Sequence, residues 1–120
     1  MNKYLLLLFI PVICISGCKN SEKKNHDQRV NHIVLCWLKE PGNIEQRQLL
    51  IDLSKSFKEI PGILEIRIGE AIPSERNIVD DSFDVCIIFS FANVEDMNTY
   101  LAHPVHQEAL NKSIKPLIHK

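Results

Sequence analysis

Six stretches of alternating or helically spaced apolar residues organise the chain after a polar segment. Residues 32–38 (HIVLCWL) are strand formers closed by Pro41-Gly42, with Ile33, Leu35 and Trp37 on one side of the alternation and His32, Val34 and Cys36 on the other. The first set is expected to pack on helices and the second to carry the polar group. Asn43 is placed to cap a helix, with Gln46 three residues on to reciprocate, and Leu49, Leu53, Phe57 and Ile60 recur at helical spacing beside Leu50. Pro61-Gly62 end that pattern. Leu64, Ile66 and Ile68 alternate with Glu65 and Arg67, which predicts a second strand with one wet or partner-facing side. After a polar loop, Phe83, Val85, Ile87, Phe89 and Phe91 alternate with Asp84, Cys86, Ile88 and Ser90 to give a third strand. Asn93 then caps a short helix containing Val94, Met97, Tyr100 and Leu101, and Pro104 restarts another through Ala109, Leu110 and Ile114.

Strand, helix, strand, strand, helix is the order of a ferredoxin-like α+β protomer, βαββα(β), whose last element is a fourth strand. So few residues follow Pro116 that this strand is expected to be short or absent, leaving the first strand as an edge for a second subunit to cover.

The segment before the domain reads differently. Lys3 gives a positive start, residues 4–15 are nearly all apolar, and Ser16-Gly17 precede Cys18, so residues 1–17 read as an export signal. The apolar run is shorter than the roughly 17–25 residues a membrane span needs, and Pro11 interrupts it. Ile15-Ser16-Gly17-Cys18 resembles the lipobox of bacterial lipoproteins, in which the cysteine is acylated and the chain cut before it. That resemblance implies a protein lipid-anchored through Cys18 at a bacterial cell envelope, facing outside the cytoplasm. Each buried acyl methylene contributes about 0.8 kcal/mol, so two or three chains hold a protein on a membrane almost permanently. Residues 19–29 (KNSEKKNHDQR) contain no apolar side chain, so 18–29 form a lipidated cysteine and solvated tether, and the domain spans 30–120.

A chain of 120 residues with 45% hydrophobic and 24% charged content supports one core. Its net charge of -1 and lack of a basic face argue against nucleic acid as a partner. Cys14 leaves with the signal, and Cys36 and Cys86 are expected to be free thiols on one face, diagonally offset. His103 and His106 are three apart, but Pro104 between them spoils helical ligand geometry and no further ligand lies at a recognisable spacing. Neither metal nor cofactor is expected.

Candidate chemistry concentrates in Tyr100-Leu101-Ala102-His103-Pro104-Val105-His106, a phenol and two imidazoles around a proline. His106 reads either as a general base or as a residue that fixes the Pro104 turn through backbone hydrogen bonds. Tyr100 is first a core ring whose hydroxyl needs a partner. His32 and Asp84 are expected to share a face and to form an imidazole-carboxylate pair.

Together with His32-Ile33-Val34-Leu35 and Ile60-Pro61-Gly62, that segment resembles the stress-responsive α/β barrel family over about residues 31–118. The resemblance implies a ferredoxin-like protomer that dimerises sheet to sheet into a dimeric α+β barrel, with a cavity between each sheet and its helices or loops. In a plant polyketide cyclase of the family, a histidine acts as base and a tyrosine assists. The resemblance puts Tyr100 and His106 at that pair and His32 at a further pocket histidine, while Asp84 stands where the cyclase has another. Three functions are carried forward. The first is a membrane-tethered homodimer binding an apolar or aromatic small molecule among His32, Asp84, Tyr100 and His106. The second is a cofactor-free cyclase, isomerase or oxygenase using His106 and Tyr100 catalytically, and the third is a structural interaction module at the envelope.

Overall fold

Residues 29–120 are described by the computed structural model; the expected signal segment 1–17, Cys18 and the expected tether up to residue 28 lie outside the described residues. Strand β1 (Val30–Cys36) leads to helix α1 (Ile44–Ser56), a 3-10 turn (Phe57–Glu59), β2 (Ile63–Gly69), a long loop, β3 (Val85–Phe91), α2 (Val94–Ala102) and α3 (Pro104–Ala109). The chain continues through a π-helical turn (Leu110–Ile114) and a last turn, α4 (Lys115–Leu117). The central strand β3 pairs antiparallel with both neighbours, in the order β1-β3-β2. Among the described residues no helix is long and apolar enough to cross a membrane.

The fourth strand is reduced to a stub. Leu38 bridges Ile118 in antiparallel sense, with backbone bonds from Trp37 N to Lys120 O (2.9 Å), His119 N to Trp37 O (2.7 Å) and Lys39 N to Leu117 O (2.9 Å). The tail therefore lies beside the end of β1, where the last strand of a ferredoxin-like domain belongs. Lys120 adds its ammonium over the Trp37 ring, 4.2 Å from the centroid.

Both helix starts are capped as their sequences predict. Asn43 Oδ1 accepts from Gln46 N at 3.0 Å and Asn93 Oδ1 from Asp96 N at 2.8 Å. Gln46 does not reciprocate: Asn43 N donates to Glu40 O at 3.1 Å, and Gln46 Oε1 is buried without a partner among the described residues. The buried stripe of α1 is Leu50, Ser54 and Phe57, continued by Ile60, whereas Leu49 is 54% exposed. The stripe is thus rotated from the expected one. Ser54 joins it at little cost because its Oγ donates to Leu50 O at 2.7 Å. The Pro61-Gly62 turn needs glycine, since Gly62 has φ +95 and an added Cβ would meet Asp96 Cβ at 3.5 Å.

Register overturns the expected faces of β1. His32 lies opposite Phe89, Val34 opposite Ile87 and Cys36 opposite Val85, while Leu35 faces Cys86 and Ile33 faces Ile88. Directly opposed residues share a face, so His32, Val34 and Cys36 join the apolar β3 set under the helices. Ile33 and Leu35 turn to the other side, where they are 59% and 39% exposed. Cys36 and Cys86 consequently lie on opposite faces, both as free thiols. The core between sheet and helices is built from Leu38, Leu50, Phe57, Val85, Phe89, Phe91 and Tyr100, all buried. Each such aliphatic or aromatic side chain contributes about 1.5–3 kcal/mol on burial.

Candidate functional site

Antiparallel pairing and two short helices bring three of the four expected site residues to one cavity. Its volume is about 290 Å³, and it lies between the sheet and the helices, with His32 on β1, Tyr100 on α2 and His106 on α3 in its wall. Val34, Leu50, Phe57, Ile87 and Phe89 supply the apolar frame, and Leu110, Ile114 and Ile118 of the C-terminal turns close it. The π-helical turn at Leu110–Ile114 widens the backbone locally where two of these side chains face the cavity.

The aromatic rings form a contiguous stack. The centroids of Tyr100 and His106 are 4.5 Å apart, Phe57 and His106 5.5 Å, Phe89 and Tyr100 5.1 Å, and His32 and Tyr100 6.5 Å. Helix α2 ends at Ala102 and Pro104 begins α3, so the chain turns sharply enough to aim Tyr100 and His106, six residues apart, at the same space. His106 Nδ1 lies 3.1 Å from Leu101 O. A carbonyl only accepts, so Nδ1 carries the proton and Nε2 of the neutral ring presents its lone pair. Gln107 Nε2 donates to the same carbonyl at 2.6 Å, so one backbone oxygen anchors both side chains. His106 therefore does fix the Pro104 turn, and the same bond sets its tautomer. His103 is turned to another task, accepting from Val105 N through Nδ1 at 3.3 Å as the cap of α3.

Burial leaves the site uncharged near neutral pH. Desolvation holds His32 below the ordinary histidine value, and the nearby His106 lowers it further. Desolvation likewise lowers His106, helped by His103, against the raising effect of its bond to Leu101 O. Burial also raises the Tyr100 phenol well above its usual value and pushes the Cys36 thiol up to about 11.

These shifts give stability a pH dependence with a definite sign. The unfolded chain binds protons at His32 and His106 around pH 6.5 while the folded chain does not, so their contribution is complete above 6.5 and is lost as the pH falls through the lowered folded values. The melting temperature is expected to decline from pH 7 to 5, and a His32→Gln, His106→Gln double variant to decline less. Parallel profiles for the two proteins would contradict the assignment.

Asp84 is not in the cavity, and the expected pair with His32 does not form. Because His32 is level with Phe89, Asp84 sits at the far end of β3, where its own N donates to Cys36 O at 2.9 Å. Its Oδ2 accepts from Leu38 N at 2.9 Å and its Oδ1 from Gly42 N at 2.8 Å, with Arg47 Nη2 3.8 Å away. The carboxylate clasps the β1-α1 loop to β3. Reading the sequence missed this use, although an Asp directly before a buried strand and facing a Pro-Gly turn is a recognisable backbone acceptor. It also missed Phe57 and Cys36 as cavity wall. Among the described residues, His, Cys, Asp and Glu side chains form no group of three that could hold a metal.

A sequence profile of the stress responsive A/B barrel domain (Dabb) matches residues 30–120. The chain is also similar to solved structures under 25% identical, a likeness that concerns the fold. A Dabb family protein with a ferredoxin-like fold from Mesorhizobium loti is 19% identical with a TM-score of 0.63, over 77% of this chain and 88% of that one. A dimeric ferredoxin-like protein of unknown function from Bacteroides fragilis is 22% identical with a TM-score of 0.56, over 77% and 88%. The hydroxynitrile lyase from Passiflora edulis is 21% identical with a TM-score of 0.66, over 78% and 86%. No match is found among curated proteins.

Proposed function

Starting from a chain that belongs to the stress responsive A/B barrel domain family, we propose that it is a homodimeric, membrane-tethered binding protein for a small apolar or aromatic molecule. The observation that carries this reading is the cavity of about 290 Å³, in which His32, Tyr100 and His106 converge inside an otherwise apolar wall. A few placed polar groups in an apolar frame are the usual composition of a small-molecule pocket. Asp84, engaged by Leu38 N and Gly42 N, has no part in it.

Dimerisation is supported by the uncovered side of the sheet, where Ile33 and Leu35 are exposed opposite Ile88 and Cys86. Such a face needs a cover, and two of the similar structures, from Bacteroides fragilis and Thermobifida fusca, are of dimeric proteins. Tethering is supported by the resemblance of residues 15–18 to a lipobox and by the apolar run before it, a pattern that in bacterial lipoproteins goes with acylation of the cysteine and would leave the folded part outside the cytoplasm on Cys18.

A second reading is favoured by one feature, the free Nε2 of His106 beside the Tyr100 ring. That pair has a base and a hydroxyl donor in one desolvated space, which suits cofactor-free proton transfer, and a lyase is among the similar structures. Native mass spectrometry of the full chain tests the first reading by reporting subunit number and retained ligand together. Two copies carrying a small molecule are expected, and a monomer that retains nothing would defeat it. Tyr100→Phe, which removes one neutral hydrogen bond, is expected to weaken that ligand about five-fold by calorimetry. An enzyme would instead keep its ligand and lose turnover.

A further inference from the structure

We infer that the cavity takes its ligand only in the uncharged state, as a single-ring hydroxy compound of the phenol class, with the Tyr100 hydroxyl as donor and Nε2 of His106 as acceptor. The inference rests on the small-molecule reading above and specifies its ligand.

The wall of the cavity contains no Asp, Glu, Lys or Arg. The titratable groups facing it are His32 and Cys36 from β1, Tyr100 from α2 and His106 from α3, with His103 nearby; α1, β3 and the C-terminal turns contribute none. Ser54 is already engaged with Leu50 O, and Cys36 is a protonated thiol. A charged ligand entering this space would give up its hydration without meeting a counter-charge, at a cost of several kcal/mol.

A hydroxyl group meets the site on both counts. It can donate to Nε2, whose lone pair is fixed in place by the 3.1 Å contact of Nδ1 with Leu101 O. It can also accept from the phenol of Tyr100, which stands in the same wall with its ring centroid 4.5 Å from that of His106. A carboxylate could use only the donor, and an ammonium only the acceptor. Size limits the ring count: about 290 Å³ lies just below the roughly 300–1,000 Å³ that holds drug-sized ligands. The rings of Phe57, Phe89 and Tyr100 give an aromatic ligand edge and face contacts on several sides.

4-Nitrophenol tests this directly, because only its ionised form is yellow. At the pH where the free compound is half ionised, excess full chain should bleach the colour as the neutral phenol is withdrawn. At pH 7.5, p-cresol should bind at least about ten-fold more tightly than benzoate or benzylammonium. Tyr100→Phe, checked for folding by circular dichroism, should reduce the bleaching. Deepening of the yellow, or benzoate binding as tightly as p-cresol, would overturn the inference while leaving the cavity a ligand site. Failure of all four probes to bind would remove both.

Discussion

Replacement of Asp84 by alanine is expected to destabilise the domain by about 3–5 kcal/mol, making it one of the two most damaging single substitutions considered. The carboxylate is buried and accepts from Leu38 N at 2.9 Å and Gly42 N at 2.8 Å, two backbone donors that no strand or helix partner would recover. A hydrogen bond to a charged acceptor contributes about 1.5–3 kcal/mol, and a buried donor left unpaired costs a further part of its desolvation. Arg47 Nη2, 3.8 Å from Oδ1, would lose its inward counter-charge but keeps Glu70 at 3.0 Å. For a domain of this size about 1 kcal/mol moves the melting temperature by roughly 4–8 °C, so a drop of more than about 12 °C is expected in a thermal melt. Asp84→Asn retains one carbonyl acceptor and should lose less than half as much. A melting temperature within a few degrees of wild type for Asp84→Ala would show that the clasp is dispensable, and a loss of ligand without loss of stability would return Asp84 to the site.

Phe57→Ala is expected to cost a similar amount, about 3–5 kcal/mol, by a different route. Phe57 is buried at the end of α1 and touches both the core and the cavity, with its ring centroid 6.3 Å from Phe89, 6.1 Å from Tyr100 and 5.5 Å from His106. Truncation removes its transfer free energy and merges the vacated space with the existing cavity. The neighbouring rings are held by strand pairing and by the Leu101 O anchor, so the walls can collapse only partly. Chemical denaturation measures the loss. The enlarged cavity should also accept a two-ring phenol that wild type refuses, with part of the lost stability restored at saturating ligand. Phe57→Leu, which keeps most of the volume, should be close to wild type on both counts. Loss of stability with no gain in ligand size would mean that Phe57 is core and not wall.

Both variants act at places that pattern reading handled unequally. The Asn43 and Asn93 caps, the Pro61-Gly62 turn and the three strands were legible because each depends on residues within a few positions. Tyr100 and His106 were legible as a pair for the same reason: one proline between two short helices brings them together. His32 reached the cavity as expected but with the other face of β1, and Asp84 left it. The buried stripe of α1 was displaced toward Ser54, a polar residue that hydropathy alone assigns to water.

The order and type of the elements, their caps and turns, and the closeness of Tyr100 to His106 were determined by the sequence itself, because local sterics, backbone hydrogen bonding and a single proline decide them. Which side of β1 faces the helices, which residue stands opposite His32, and whether Asp84 binds ligand or backbone were decided only by tertiary structure. Period-two alternation divides a strand into two faces without saying which is buried. That choice follows from pairing with β3, distant along the chain, where a one-residue slip would exchange every side chain between the faces.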